Sequence, residues 1–251
     1  MGVILSMIIT LMVCGVMFIY ERVSGNIVPG EIAEANAGKK KQSNTTEGFW
    51  DEHKEEEGMP PEYRDYRIIL DAGHGGSDGG TLAEDVLSEN GRRMDIVEKD
   101  INLSVVSNMK ELLEELGVEV ILTRESDETL SLDERVRIAN SVEADLFVSI
   151  HCNYYEEDAS VRGLESYYFE GSDSGKSCAE KILEKVESGG KIETRNAKES
   201  DFYVLKKTKI PAVLVELGYL SNAKECLLLA EKEYQETMAK ELVAGILEVL
   251  E

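Results

Sequence analysis

From residue 67 onward, short apolar runs alternate with longer segments in which apolar residues recur every three to four positions. The short runs predict strands and the periodic segments predict amphipathic helices. The predicted strands are 68–70, 118–122, 146–150, 164–169, 202–205 and 212–217. The predicted helices are one capped by Asp100 and stopped by Gly117, then 132–142, 174–187, 223–230 and 234–250. This alternation predicts an α/β fold with a mostly parallel central sheet, helices on both faces and a single domain.

The first 66 residues show no such alternation. Residues 3–20 carry no charge and are followed by Glu21 and Arg22, a length near the lower limit for a membrane-spanning helix. The start has no basic region and no nearby cleavage signal, which favours an uncleaved anchor over a cleaved signal segment. Residues 23–66 have no hydrophobic period and predict a flexible acidic linker. We therefore expect an anchor or signal segment at 1–22, a linker at 23–66 and an extracytoplasmic folded domain at 67–251.

Charge and cysteine content narrow the function classes. The chain has 27 basic and 50 acidic residues and a net charge of −23, which excludes nucleic acid as a partner because phosphate binding needs a basic surface. Outside the apolar segment with Cys14, the remaining cysteines are Cys152, Cys178 and Cys226. Their odd number and wide spacing fit neither a disulfide framework nor a zinc knuckle, so we expect buried free thiols.

The three histidines of the chain are distributed unevenly. His53 lies in the predicted linker, whereas His74 and His151 each follow a predicted strand. In open parallel sheets, ligands bind at the carboxyl ends of the strands. Glycines around His74, such as Gly73 and Gly75, allow close backbone approach. We therefore expect the two imidazoles to meet at one edge of the sheet.

The residue types at this edge suit a mononuclear zinc hydrolase. Catalytic zinc takes three imidazole or carboxylate ligands and keeps an open position for water. His74, His151 and Glu98 supply such a set, with Glu98 on a loop at or just before the start of the Asp100 helix. A separate carboxylate must carry the proton, and Glu216 is the candidate because it follows the buried apolar run 213–215. A carboxylate at the end of a buried strand is there because it is paired or functional.

Four blocks of the chain resemble a known family. They are Leu70-Asp71-Ala72-Gly73-His74-Gly75-Gly76, Glu98-Lys99-Asp100, Ser149-Ile150-His151-Cys152-Asn153 and Val215-Glu216-Leu217-Gly218-Tyr219-Leu220-Ser221-Asn222. In this order they are similar to the signature of the zinc-dependent N-acetylmuramoyl-L-alanine amidases of amidase type 3. The resemblance implies one zinc ion held by His74, Glu98 and His151, and Glu216 as the catalytic glutamate. It implies hydrolysis of the amide between N-acetylmuramic acid and L-alanine in peptidoglycan.

The chain departs from the family pattern without losing a ligand. Ala72 stands where the family often has proline, and Cys152 where a small or apolar residue is usual. Residues 81–97 are longer and more polar than in compact members. Some family members carry a regulatory helix inserted after the strand that matches 164–169. Here residues 171–201 hold only one helix, so we expect this insertion to be absent. The need for a protein activator stays open. A short anchor on a bare catalytic domain resembles the spore-cortex amidases that help to make muramic δ-lactam.

Two alternatives remain at this point. One is a catalytically silent relative that binds peptidoglycan or recruits wall enzymes, which the loss of any of the four site residues would favour. The other is a zinc peptidase that cuts within the stem peptide, since the sequence does not show the substrate-binding surface. The expected partners are the glycan strands and stem peptides of peptidoglycan. The N-terminal segment is expected to contact the membrane.

Overall fold

The computed structural model describes Tyr63, residues 65–88 and residues 90–251. The predicted anchor and nearly all of the predicted linker lie outside the described residues. The strands of the described part are β1 (Arg67–Ala72), β2 (Leu82–Leu87), β3 (Arg93–Val97), β4 (Glu119–Leu122), β5 (Leu146–Asn153), β6 (Leu164–Phe169), β7 (Thr194–Ser200) and β8 (Ala212–Tyr219). Its helices are α1 (Glu98–Glu115), α2 (Leu132–Ala139), α3 (Asp173–Gly189), α4 (Tyr203–Lys207), α5 (Ala223–Leu229) and α6 (Lys232–Leu250).

Six strands form one sheet in the order β4-β1-β5-β8-β6-β7, and β2 and β3 form a separate antiparallel pair. β4, β1, β5 and β8 are parallel, whereas β6 runs antiparallel to β8 and parallel to β7. The predicted mostly parallel sheet is therefore confirmed. Because β6 is reversed, its amino end lies beside the carboxyl end of β8.

Helices cover both faces of the sheet, as predicted. On β1, Ile68 and Leu70 pack into a core with residues of α1, α3, α5 and α6, and the intervening Ile69 packs on the opposite face with residues of α2 and α4. These strand residues are fully buried. Burial on both faces explains why β1 and the first part of β5 are nearly continuous apolar runs rather than alternating ones.

The prediction of a strand at 202–205 was wrong, because this segment begins the short helix α4, with Phe202 as its N-cap residue. A four-residue apolar run does not by itself distinguish a strand from a helical turn. Here the consecutive residues Val204 and Leu205 are both buried against the sheet, whereas Phe202 and Tyr203 are exposed. Adjacent residues of a strand point to opposite faces, so this burial pattern suits a helix lying on the sheet.

Two strand regions were not predicted from the sequence. β2 and β3 are mainly exposed, and their pairing is irregular between Ala83 and Val86, where Asp85 has a φ of 55°. β7 is a mainly exposed edge strand without a buried apolar run. Neither region carries the period of a half-buried strand, so the pattern of apolar residues gave no signal for them.

The first described residues already pack against the domain. Tyr63 is buried and its hydroxyl donates to Glu251 Oε1 at 2.9 Å, and the Tyr66 hydroxyl donates to the Leu250 carbonyl at 2.7 Å. Contacts of the domain therefore begin before Arg67, inside the segment assigned to the linker.

Two further expectations concern the cysteines and the membrane-spanning segment. Cys152, Cys178 and Cys226 are buried free thiols, as predicted. Within the described part of the chain, no helix is both long and apolar enough to cross a bilayer.

The packing of α6 against α3 depends on Gly245. A Cβ atom at this position would lie 2.9 Å from the Ile182 Cα and 3.1 Å from the Ile182 carbonyl oxygen. Alanine has a helix propensity about 1 kcal/mol better than glycine, but overpacking costs about 1–3 kcal/mol. We therefore expect Gly245→Ala to lower the free energy of unfolding by about 1 kcal/mol in urea titration.

Glu236→Ala, at an exposed position of the same helix, is the control and should change stability by less than about 0.5 kcal/mol. A Gly245→Ala protein more stable than wild type would contradict the close packing of the two helices.

Candidate active site

The carboxyl ends of β1 and β5 bring the two histidines together. His74 lies on the loop after β1, and His151 lies near the end of β5. Their ring centroids are 4.9 Å apart and the ring planes are nearly perpendicular, at 82°. The expectation that both imidazoles meet at one edge of the sheet is therefore met.

Glu98 lies between the two imidazoles. Its Oε1 atom is 3.2 Å from His74 Nε2 and 3.0 Å from His151 Nδ1, and it accepts a hydrogen bond from the Cys152 backbone N–H at 3.0 Å. Its Oε2 atom accepts from the Thr81 N–H at 2.8 Å. The side chain is 4% exposed. Glu98 thus joins β1, β5 and the loop before β2 through one carboxylate.

Glu98 is the first residue of α1 rather than part of a preceding loop, which corrects the predicted helix start at Asp100. No side chain caps this helix. Instead the Glu98 and Lys99 N–H groups donate to the carbonyls of Thr81 and Gly79. The carboxylate therefore lies at the helix end that carries partial positive charge, which favours its ionised form.

The charge of Glu98 controls the electrostatics of the cluster. Burial alone would raise the pKa of Glu98, but hydrogen bonds with His151 and His74 outweigh it and hold the pKa well below its usual range. The same hydrogen bond with Glu98 raises the pKa of His74 to about 9 against the opposing effect of burial. A buried anion between two imidazoles therefore attracts positive charge into the cluster.

Asp78 orients the ring of His74. Its Oδ2 atom is 2.9 Å from His74 Nδ1, and its Oδ1 atom accepts from the Gly80 N–H at 3.1 Å. With a proton on Nδ1 shared with Asp78, Nε2 is the ring nitrogen that can bind a metal ion in place of its proton, and such carboxylate–histidine contacts fix the tautomer at metal sites. Asp78 was not among the predicted site residues. Its position four residues after His74 in a glycine-rich loop was the available signal.

The backbone at His74 is strained, with a φ of 61° in the left-handed region. Two buried arginines hold this stretch. Arg135 donates from Nη2 to the His74 carbonyl at 2.7 Å and from Nη1 to the Ala72 carbonyl at 2.8 Å. Arg124 donates to the carbonyls of Ala72 at 2.9 Å and Gly73 at 3.1 Å. These contacts compensate for a conformation that costs about 1–3 kcal/mol.

Arg135 is itself paired with Asp71, a fully buried residue of β1, at 2.5 Å. Asp71 also accepts hydrogen bonds from the hydroxyls of Thr123 and Ser149, each at 2.6 Å. The sequence analysis did not identify this group. Aspartate inside an apolar strand was a signal, because a buried carboxylate must be paired, but its partners lie on β5, α2 and the segment after β4.

Glu216 lies on β8 beside His151, its direct register partner on β5. The sequence analysis placed Glu216 at the end of this strand, but β8 continues to Tyr219, so Glu216 lies within it. Its Oε2 atom is buried and has no hydrogen-bond partner among the described residues. Burial raises the pKa of Glu216 to about 7, and the charge of His151 opposes this only in part. A carboxyl group with such a pKa can both accept and donate a proton near neutral pH.

The structure therefore brings all four predicted site residues to one edge of the sheet. Two imidazoles and a buried carboxylate converge within 4.8 Å of one another, and Glu216 occupies the adjacent strand. Asn222, the last residue of the fourth signature block, caps α5, since its Oδ1 atom accepts from the N–H groups of Lys224 and Glu225 at 3.1 Å. It therefore has a structural role outside the cluster.

Comparisons with known proteins agree with this arrangement. The family model described as N-acetylmuramoyl-L-alanine amidase matches residues 68–248. The chain belongs to this family. Its members are hydrolases, so the chain is an enzyme that hydrolyses the amide between N-acetylmuramic acid and L-alanine in peptidoglycan.

Individual relatives support the assignment. The germination-specific N-acetylmuramoyl-L-alanine amidase of Bacillus subtilis is 33% identical over 195 residues, 72% of this chain and 78% of the relative. The uncharacterized protein YqiI of the same organism is 39% identical over 182 residues, 71% of this chain and 82% of the relative. The structure of the CwlD amidase from Clostridioides difficile in complex with the GerS lipoprotein has 35% identity and a TM-score of 0.65, covering 74% of this chain and 98% of that chain.

Gly73 makes room for the His151 ring in this amidase. A Cβ atom at Gly73 would lie 2.2 Å from His151 Cε1, and the backbone of Gly73 is not in the left-handed region. Gly73→Ala is therefore compatible with the backbone but must displace the ring. Because a displacement of about 1 Å can cost about 10²-fold in rate, we expect kcat/KM for peptidoglycan hydrolysis to fall by about 100-fold.

Gly79→Ala in the same loop is the matched control, since its Cβ would meet only the Val97 Cγ1 atom at 3.3 Å. It should stay near wild-type activity. A Gly73→Ala enzyme within a few-fold of wild type would show that the position of the His151 ring is not critical.

Proposed function

We propose that the enzyme is a zinc amidase in which His74, Glu98 and His151 hold one zinc ion. The support is the convergence of three donor atoms of the types that zinc prefers, within 4.8 Å of one another. The negative charge of Glu98 between two imidazoles would be offset by a divalent cation, and Asp78 already orients His74 for such a role. Zinc bound there would supply a Lewis acid that lowers the pKa of water and polarises the substrate carbonyl.

Glu216 is proposed as the proton-transferring residue. The observation that carries this role is its buried, unpartnered Oε2 atom next to His151. Glu216 would take a proton from the attacking water and give it to the nitrogen of the leaving L-alanine. The pKa of about 7 keeps both protonation states accessible. Glu216 on β8 thus lies on the strand next to β5, which carries His151, one of the proposed zinc ligands.

We further propose that the enzyme acts outside the cytoplasm, anchored to the membrane through residues 1–22, and that its role includes maturation of spore peptidoglycan. The apolar segment in the sequence supports the anchor, and similarity to a germination-specific amidase supports the spore role. A lipoprotein partner is a further proposal, supported by the complex formed by the CwlD amidase. The test is to express the labelled amidase in a sporulating host and to measure, by membrane fractionation, whether the protein is found with the membrane.

Removal of either histidine should remove the metal. We expect purified His74→Ala and His151→Ala proteins to lose most of the zinc found in wild type, because two ligands cannot close the site that three ligands form. Elemental analysis after dialysis measures the metal content. His53→Ala provides a matched control, since it removes the third histidine of the chain from the predicted linker. Full zinc content in both site variants would overturn the ligand assignment.

Glu216→Gln should keep the fold and the metal but lose turnover, because an amide of similar shape cannot carry a proton. General acid–base catalysis contributes about 10²–10⁴-fold, so kcat should fall by about that factor. The measurement is the release of stem peptides that begin with L-alanine from denuded peptidoglycan. Glu111→Gln at an exposed position of α1 makes the same change away from the site. Activity of Glu216→Gln within a few-fold of wild type would exclude this role.

A further inference from the structure

A cluster of charged side chains lies beside the active site on β6 and β7. Its centre is Glu165, a fully buried residue at the start of β6 whose register partner on β8 is Glu216. Glu165 Oε1 accepts from Arg195 Nε at 2.7 Å and from Lys198 Nζ at 2.5 Å. Glu165 Oε2 accepts from the Tyr167 hydroxyl at 2.6 Å. The cluster is outside the set of groups that the proposed reaction uses.

This cluster carries an excess of positive charge. Two cations are paired with one carboxylate, and the pairing leaves the side chains of Arg195 and Lys198 41% and 43% exposed. Arg195 donates hydrogen bonds from Nε to Glu165 and from Nη1 to the Arg162 carbonyl, the second at 3.3 Å. Its Nη2 atom has no hydrogen bond to the described residues. In a chain with a net charge of −23, a pair of accessible cations next to the active site is a local exception that favours an anionic ligand.

The two cations are held in place before any ligand arrives. The Arg195 guanidinium lies 5.9 Å from the centre of the Tyr219 ring, and the Lys198 ammonium lies 5.8 Å from the centre of the Tyr167 ring. Both are also bonded to the buried Glu165. Exposed lysine and arginine side chains normally lose rotamer freedom when they bind, which weakens binding, and prior ordering reduces that cost.

The distance between the cluster and Glu216 suits a short segment of an extended peptide. Glu165 is the register partner of Glu216 on the adjacent strand, and neighbouring strands are spaced by about 4.8 Å, so the cationic groups bonded to Glu165 lie roughly 5–8 Å from Glu216. An extended peptide spans about 3.3–3.6 Å per residue. A group near the cations is therefore one or two residues away from the amide that Glu216 helps to cleave.

We propose that Arg195 and Lys198 form a subsite that binds a carboxylate of the stem peptide close to the scissile amide. The inference rests on the proposed role of Glu216, because that role fixes where the amide lies. The ligand chemistry is an acidic residue after the L-alanine of the peptide. Arg195 and Lys198 are binding residues in this proposal, and Glu165 is the residue that positions them.

The test compares two synthetic substrates on the wild-type zinc-loaded enzyme, which avoids any question of misfolded variants. Both are N-acetylmuramoyl peptides with γ-linked D-glutamate after L-alanine, one with a free α-carboxylate and the other with a carboxamide there. We expect kcat/KM to be at least about 10-fold higher for the carboxylate, mainly through KM, because a charge-assisted hydrogen bond to a cation is lost in the carboxamide. Equal kcat/KM values for the two substrates would overturn the subsite.

Variants test which side chains cause the preference. Lys198→Met should reduce the difference in kcat/KM between the two substrates to about two- to three-fold or less, because the carboxylate then loses its hydrogen bond to the ammonium group. Lys110→Met is the matched control. Lys110 is also paired with a glutamate and 32% exposed, but lies about 18 Å along α1 from Glu98. The control should keep the full preference. A Lys198→Met enzyme that keeps it as well would also overturn the proposal.

Binding is measured separately, so that failure of the proposed catalysis can be told apart from failure of the subsite. The probes are the released peptides themselves, L-alanyl-γ-D-glutamyl peptides with carboxylate or carboxamide, titrated by calorimetry. Tighter binding of the carboxylate peptide by wild type, with no such difference in Lys198→Met, supports the subsite even if neither substrate is hydrolysed. If neither is hydrolysed, only the proposed catalytic roles fail. Equal binding of both peptides counts against the subsite whatever the turnover.

Discussion

The carboxylate of Glu98 is the interaction on which the rest of the site depends. It is almost fully buried, and it joins the loop after β1, the loop before β2, the start of α1 and the end of β5. A buried anion is stable only where its neighbours satisfy its oxygens and its charge. Backbone N–H groups satisfy the oxygens, and two imidazoles with the amino end of α1 stabilise the charge. The same arrangement that keeps Glu98 ionised therefore prepares a site for a cation.

A second group of buried charged residues stabilises the loop that carries His74. Arg135 and Arg124 hold the carbonyls of the loop that carries His74 in a left-handed backbone conformation, and Asp71 balances Arg135. Removing one member of such a buried pair costs about 3–5 kcal/mol because the other is left without a partner. The position of His74 is therefore determined by residues of β1, α2 and the segment after β4, none of which touches the substrate in the proposed mechanism.

The sequence predicted the parts of this protein that depend on local pattern and on residue type. The runs at β1, β5 and β8 are apolar because both faces of the sheet are covered, and the histidines and Glu216 follow from chemistry at the ends of such strands. Features that depend on contacts between residues far apart in the sequence left no comparable pattern along the chain. Tyr203 and its neighbours are helical because α4 packs on one face of the sheet. The first turn of α1 forms because the carbonyls of Thr81 and Gly79 accept its N–H groups. The cationic partners of Asp71 and Glu165 lie 30 or more residues away along the chain, and periodicity within a segment carries no information about them.

The reversed direction of β6 has a consequence for how this enzyme can change. In a wholly parallel sheet, the amino ends of β6 and β7 would lie at the edge opposite the site. Here they lie beside Glu216, so the reversed half of the sheet borders the site that the parallel half provides. The parallel half supplies His151, Glu216 and the loop with His74, and both imidazoles depend on close contacts with buried neighbours. The reversed half ends in an edge strand, where substitutions disturb few neighbours, so selectivity for different wall chemistries can diverge in lineages while the hydrolytic centre stays the same.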